Sequence, residues 1–125
     1  MVIATITYSG LFLAGRTLIW EVDGIAQHFP ILLEFQRILQ QHPQQLFSWS
    51  WNLGLGADQL TTFSYYVVGD PFNYLVAFVS QDHLEWAYQA LILLRLYFVG
   101  LAFLGFSHQF KFKRMSRLIG TLTYT

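Results

Sequence analysis

The apolar segment from Ala87 to Phe106 constrains the fold of this chain more than any other part of its sequence. Within this segment, only Gln89 and Arg95 are strongly polar. At a helical rise of about 1.5 Å per residue, roughly 20 residues span the ~30 Å hydrocarbon layer of a bilayer. We therefore predict that residues 82–110 form a transmembrane helix.

Charged residues are few and unevenly distributed. They make up 11% of the sequence, whereas a soluble domain averages about 25%. Every acidic residue lies between Glu21 and Glu85, and four of the seven basic residues follow the apolar segment: Lys111, Lys113, Arg114 and Arg117. By the positive-inside rule, this distribution predicts a plasma-membrane protein in which Lys111–Arg117 is cytoplasmic. A solvated loop that is basic by chance is the alternative interpretation.

The composition excludes several classes of protein. A hydrophobic share of 54% is too high for a disordered chain, and 7 acidic against 7 basic residues leave no basic face for nucleic acid. Because the chain has no cysteine, it contains no disulfide, thiolate zinc site or thiol nucleophile. We therefore expect membrane lipid as a partner and no nucleic acid.

The two ends of the chain suggest further membrane segments. Residues 2–15 are apolar, and no basic residue precedes them as it would in a secretory signal peptide. We interpret residues 1–20 as part of a first transmembrane helix whose Trp20 end faces outward. Residues 111–125 are predicted to be a basic cytoplasmic loop and the start of a further helix. We expect a fragment of a larger multi-pass protein.

Between the two predicted helices, residues 21–81 are expected to form an extracytoplasmic loop with Arg16–Ser80 on the outer side. Residues 30–41 have the period of an amphipathic helix, with one apolar face: Ile31, Leu32, Phe35, Ile38 and Leu39. The opposite face is polar: Glu34, Gln36, Arg37, Gln40 and Gln41. Such a helix lies either in the membrane interface or against parts of the protein outside this chain. The predicted fold class is an all-α membrane protein in which two transmembrane helices flank an outer loop with amphipathic interfacial helices.

Two further stretches of the loop have a local interpretation. Trp49 and Trp51 suit the membrane–water interface, and Gly54 and Gly56 suit a tight turn. The apolar residues 72–79 are too few to cross a membrane, so this stretch is interfacial, re-entrant or buried.

Three polar residues are candidates for chemistry. Asp23 can accept a proton or hold a hard divalent cation, or else it is an aspartate that shapes a turn. His28 lies five residues further on and can line the same site or serve a structural purpose. Arg95 lies within the apolar segment. A charged residue there either marks a functional site or extends its aliphatic stem so that its guanidinium group reaches the membrane interface.

The order of several motifs resembles the N-terminal part of the YfhO family of bacterial multi-pass membrane proteins. The motifs are LIWEVDGIAQHFP, FSWSWNLGLGAD, YYVVGDPFNYL and LILLRLYFVGLAFL, and the resemblance covers residues 11–125. It implies a partial fold of the GT-C type of membrane glycosyltransferase. It also implies transfer of a sugar from a polyprenyl-phosphate donor to a cell-wall polymer, teichoic or lipoteichoic acid, on the outer face.

The resemblance also implies roles for individual residues. Enzymes of the GT-C type have an essential acidic residue in the first outer loop, and Asp23 stands at the matching position. The resemblance therefore implies that Asp23 is the catalytic residue and a candidate ligand of a divalent cation, Mg²⁺ or Mn²⁺. Glu21 is two residues away, so a strict pair of adjacent acids is absent. The substrate-binding candidates are Glu21, His28, Arg95 near the donor phosphate, and two tyrosines that can stack on a sugar ring, Tyr65 and Tyr66. Asp70, directly before Pro71, stands at a position where the family motif has serine.

Two other functions fit the same sequence. A non-catalytic membrane scaffold would keep the fold without needing a carboxylate at Asp23. A transporter-associated component would use Arg95 and the acidic loop as an ion path. Under any of these functions, we expect the 125-residue chain alone to be inactive as a transferase, because two spans and a loop cannot enclose a lipid donor and an acceptor together.

Overall fold

The computed structural model describes residues 2–124, with side chains from residue 6 onward, and is mostly helical. Contacts divide the chain into two compact units. One unit runs from Ile19 to Tyr88. The other combines the residues up to Leu18 with those from Gln89 onward.

The first helix, α1, covers Val2–Leu13. Gly15, with φ of 64°, ends it in a Schellman motif, in which Arg16 N–H donates to the Leu11 carbonyl at 2.9 Å. The helix therefore stops short of the predicted residue 20, because a glycine in the left-handed conformation turns the chain away. Its 12 residues extend about 18 Å at ~1.5 Å per residue. A second transmembrane helix is thus not confirmed.

The long helix α4 covers Leu84–Gln109 and follows a 3₁₀ turn at Gln81–His83. Together they form the one helix within the described residues that is long and apolar enough to cross a membrane. Only 17% of its most apolar stretch is buried in the structure, whereas the core helix of a soluble protein would be mostly buried. This exposure favours lipid as its surroundings.

Helix α5, Arg114–Tyr124, folds back along the end of α4. Lys111, with φ of 54°, forms a second Schellman motif, in which Phe112 N–H donates to the Ser107 carbonyl at 3.0 Å. Gly120 lies against the Phe103 ring, so closely that a Cβ there would be 2.7 Å from it. The predicted basic loop is therefore a tight turn followed by the first turn of a helix.

The unit from Ile19 to Tyr88 consists of short elements around helix α2. A π-helical turn, Gly24–His28, leads into α2, Phe29–Gln41. The remaining elements are a 3₁₀ helix Pro43–Phe47, strands β1 Trp49–Ser50 and β2 Ala57–Asp58, α3 Gln59–Phe63, a second π-helical turn Ser64–Val68, and a 3₁₀ helix Pro71–Phe78. The strands pair antiparallel, with Trp49 opposite Asp58 and Ser50 opposite Ala57. The prediction of an all-α chain therefore missed one small hairpin.

The predicted apolar face of α2 forms the core of this unit. Leu32, Phe35 and Ile38 are all at most 3% exposed. The Phe35 ring packs edge-to-face against Phe63 at 6.0 Å and Tyr74 at 5.4 Å between centroids. The face predicted to lie in the membrane interface or against parts outside this chain therefore packs into the chain's own core.

Gln36 is an exception to the predicted polar face of α2, because its side chain is fully buried. Its Nε2 donates to the carbonyls of Val76 at 3.0 Å and Val79 at 2.8 Å. One helical turn further on, Gln40 Nε2 donates to Val79 at 2.7 Å. The last carbonyls of a short helix lack partners within that helix. The two glutamines supply donors there and fix the stretch 71–79 to α2.

Replacing Gln36 with methionine should destabilise the chain by about 1–3 kcal/mol, because the two hydrogen bonds from Gln36 to the carbonyls of Val76 and Val79 would be lost. Methionine keeps the length and apolar stem of glutamine, so packing changes little. The measurement is the free energy of unfolding in detergent micelles. Gln41→Met, on an exposed side chain of the same helix, is the control and should change that energy by less than about 0.5 kcal/mol. Equal effects of both substitutions would contradict the assigned hydrogen bonds.

Candidate functional site

Two π-helical turns bring four of the predicted site residues together. Asp23 and His28 lie at the two ends of the first turn, and Tyr65 and Tyr66 lie in the second. Single π-helical turns are rare and occur frequently at functional sites. The sequence predicted these residues separately, and their proximity is a result of the structure.

A chain of hydrogen bonds connects the acid of the first turn to the second turn. Gln27 Nε2 donates to Asp23 Oδ1 at 3.2 Å, and Tyr66 Oη donates to Gln27 Oε1 at 2.7 Å. The amide of Gln27 therefore uses its donor on the carboxylate and its acceptor on the phenol. Sequence reasoning missed Gln27, although its spacing of four residues from Asp23 is one at which helical side chains meet.

Four aromatic rings form a row beside this hydrogen-bonded chain. The order is Trp20, His28, Tyr66 and Tyr65, with successive centroids 4.8, 5.2 and 4.9 Å apart. The two end members are the most accessible, with Trp20 48% and Tyr65 84% exposed. Exposed rings of this kind offer apolar faces to a ligand.

Trp20 was not predicted as a site residue, and Gly24 determines how closely it approaches. A Cβ on Gly24 would lie 2.9 Å from Trp20 Cδ2, closer than two carbon atoms can pack. The glycine in the DG pair therefore makes room for the indole beside His28. In the sequence, the Asp23–Gly24 pair indicated only a turn and not this close contact.

The structure distinguishes Asp23 from two other aspartates of the loop. Asp58 Oδ1 accepts from Thr61 N–H at 2.7 Å, and Asp70 Oδ1 accepts from Phe72 N–H at 2.9 Å, so both cap helices. The bond from the Thr61 N–H lowers the pKa of Asp58, which keeps that cap ionised. Asp23 precedes a helical turn too, but its side chain makes no capping hydrogen bond. Its exposed carboxylate meets only an exposed amide in the described part of the chain.

Glu21 is exposed, and the hydrogen bonds from Asp23 to Tyr66 do not include it. Between the two acids, Val22 adopts a left-handed conformation with φ of 64°. A β-branched residue rarely adopts this conformation, so the turn holds local strain of the kind often found at functional sites. Arg95 is half-buried in α4 and belongs to the other compact unit.

At Asp23, the described residues would offer a divalent cation only an open binding mode with few protein ligands. In the described residues, no three His, Asp or Glu side chains come together to hold a metal ion by themselves. Mg²⁺ is often bound by one or two carboxylates, with waters and substrate phosphates as its other ligands. Asp23 alone can supply this open mode, and a closed structural metal site is not formed by these residues.

Comparison with known proteins gives one match. The family model described as "Bacterial membrane protein YfhO" matches residues 1–125. No curated protein and no solved structure matches the chain significantly. The family match confirms the resemblance drawn from the motifs and agrees with the exposed apolar helix α4. The chain therefore belongs to the YfhO family of bacterial membrane proteins.

Proposed function

We propose that this chain is part of a membrane glycosyltransferase of the GT-C type. The enzyme would transfer a sugar from a polyprenyl-phosphate donor to teichoic or lipoteichoic acid. The proposed topology is multi-pass, with Arg16–Ser80 outside the cell and Lys111–Arg117 in the cytoplasm. Support comes from the family match, the apolar helix α4 and the acidic residues confined to Glu21–Glu85.

The main observation behind the proposal is that the carboxylate of Asp23 is exposed and caps no helix. In the proposed reaction, an acceptor hydroxyl oxygen bonds to the anomeric carbon of the sugar. The bond from that carbon to the donor phosphate oxygen breaks, and the phosphate leaves on the polyprenyl chain. Asp23 takes the proton of the hydroxyl, a role that contributes about 10²–10⁴-fold to such reactions. Gln27 orients the carboxylate for this task.

The neighbouring residues receive binding roles in the proposal. The rings of Tyr65 and Tyr66, together with His28, would hold the sugar, since exposed aromatic faces suit the apolar face of a pyranose. Glu21 would bind an acceptor hydroxyl. Arg95, in the other compact unit, would bind a phosphate group. In the alternative role of Asp23, its carboxylate would hold a Mg²⁺ or Mn²⁺ ion, which would supply positive charge to the departing phosphate.

Reconstitution tests the proposal against its alternatives. The full-length protein in lipid vesicles receives polyprenyl-phosphate sugars with a radiolabelled sugar, together with purified lipoteichoic acid. We expect label on the polymer, and none when the 125-residue chain is used alone. Movement of label across the vesicle membrane without transfer would support a transporter-associated component. Neither transfer nor movement would support a scaffold, and both results would contradict the enzyme.

Tyr66→Phe should lower the transfer rate about tenfold, because the loss of its hydroxyl frees Gln27 and misplaces the Asp23 carboxylate. The phenyl ring remains beside His28, so sugar binding should change less than turnover. The comparison is kcat against KM in the vesicle assay. Tyr74→Phe is the matched control, since it removes a hydroxyl that donates to the Val68 carbonyl at 3.2 Å and takes no part in the hydrogen bonds from Asp23 to Tyr66. A rise in KM alone would mean that Tyr66 only binds substrate.

A further inference from the structure

A stretch of the loop without charge exposes several large apolar side chains. No charged residue occurs from Pro43 to Ala57. In this stretch, four large apolar side chains are more than half exposed: Phe47 74%, Trp49 56%, Trp51 77% and Leu55 100%. Such a concentration of exposed apolar surface indicates an interaction site.

The exposed residues are held on a defined structure, which we term the Trp hairpin (residues 47–57). Strands β1 and β2 close it, and Gln59 N–H donates to the Ser48 carbonyl at 3.1 Å at its base. The rings of Trp49 and Trp51 pack edge-to-face at 5.8 Å. Gly56 lies beneath both indoles, where a Cβ would be 2.8 Å from Trp51 and 3.0 Å from Trp49. The apolar tip is therefore built into the fold.

We propose that the Trp hairpin inserts shallowly into the interface of the lipid bilayer and anchors this unit to the membrane surface. The chain belongs to a family of membrane proteins, so the hairpin is part of a protein that resides in a bilayer. Indole rings favour the depth of the headgroups, where one edge is apolar and the N–H finds an acceptor. Shallow insertion of residues 47–57 removes no charge from water, because these residues carry none and the charged Asp58 ends β2 at the base of the hairpin.

The shape of the hairpin also favours lipid over a protein partner. Leu55 is completely exposed at the turn, so the apolar side chains project from a tip. A protein partner would need a matching pocket, whereas a fluid bilayer accepts a projection of any shape. Hydroxyl and amide side chains at Ser48 and Asn52 suit the polar headgroups that would surround the base.

The anchor is directly connected to the candidate site. Asp58, the last residue of β2, caps α3 through Thr61 N–H at 2.7 Å, and Thr62 Oγ1 donates to the Asp58 carbonyl at 3.0 Å. Helix α3 then continues into the π-helical turn with Tyr65 and Tyr66. If the proposed function holds, the depth of the hairpin sets the height of these tyrosines for a lipid-linked donor. Insertion itself does not depend on that function.

A fluorescent label at the tip tests the insertion. Because the chain has no cysteine, Leu55→Cys provides a single thiol for a polarity-sensitive dye. In vesicles of phosphatidylglycerol and phosphatidylethanolamine, bromine on the upper part of the acyl chains should quench this dye roughly twofold. Aqueous iodide should quench it weakly. The control, Gln41→Cys on the exposed end of α2, should give the opposite pattern.

Each other outcome overturns the proposal. Strong iodide quenching without bromine quenching would place the tip in water. Weak quenching by both agents would place it against another protein segment.

Near-ultraviolet circular dichroism of the Trp49–Trp51 pair verifies that labelled chains keep the hairpin. A second variant, Trp49→Ser with Trp51→Ser, should reduce the bromine quenching at Leu55→Cys, and an unchanged value would also overturn the proposal. The readout requires no transferase activity, so it is independent of the proposed function.

Discussion

Gly56→Val should destabilise the Trp hairpin by about 2–3 kcal/mol, one of the two largest effects expected in this chain. Gly56 has φ of 108°, a backbone conformation that L-amino acids with a side chain rarely adopt. A side chain there would also meet both indoles at 3.0 Å or less. Strain and overlap therefore act together, and the β1–β2 pair should open.

The measurement is the circular dichroism of the coupled tryptophans during thermal unfolding in detergent micelles. Gly54→Asn is the matched control, because Gly54 also has a positive φ, 59°, but no atom lies within 4 Å of its Cβ position. Asparagine tolerates this left-handed conformation, so the control should shift the transition by less than a few degrees, about 0.5 kcal/mol. A Gly56→Val protein with an unchanged transition would show that the hairpin is not formed as described.

Sequence reasoning predicted the parts of the fold that depend on local pattern. The apolar run that contains Arg95 predicted α4, because length and apolarity alone identify such a helix. The period of Leu32, Phe35 and Ile38 identified the apolar face of α2, and the structure shows that this face is buried in the chain's own core. The two glycines of the hairpin, Gly54 and Gly56, were correctly assigned to a turn, since both have positive φ.

Features that depend on distant partners could not be predicted in this way. The burial of Gln36 follows from carbonyls 40 and 43 residues away, which no local period reveals. The two-residue strands are too short to show alternation. The Schellman end at Gly15 was missed because the apolar pattern of residues 11–20 outweighed the glycine in the prediction.

The candidate site was predicted as separate residues and not as an arrangement. Asp23 was chosen for its place in the sequence and its family resemblance. The sequence already favoured helix capping for Asp70 and a turn for Asp58, and the structure adds that the Asp23 side chain caps no helix. Gln27 was missed because an amide has no chemistry of its own to attract attention. Its function here comes from joining two turns 39 residues apart.

Asp23→Asn should reduce sugar transfer at least about 100-fold, the second of the two largest effects. The substitution keeps the shape of the side chain, and the asparagine carbonyl can still accept from Gln27. It removes the one property that the proposed reaction needs, a carboxylate able to take a proton. Protein abundance and membrane insertion should therefore remain unchanged.

The matched control is Asp58→Asn. Asparagine caps helices as well as aspartate does, so the bond from Thr61 N–H should survive and the fold with it. This variant also removes one negative charge from the same loop, which separates the loss of charge from the loss of the catalytic group. Transfer should remain within about twofold of the wild type.

The catalytic role of Asp23 is tested most directly by the sugar content of cell-wall polymers in cells that produce the full-length protein. Wild type, Asp23→Asn and Asp58→Asn are compared at matched abundance in the membrane. If Asp23 is the catalytic carboxylate, sugar is lost only with Asp23→Asn. Normal sugar content in the Asp23→Asn cells would contradict the assignment of Asp23 as the catalytic carboxylate.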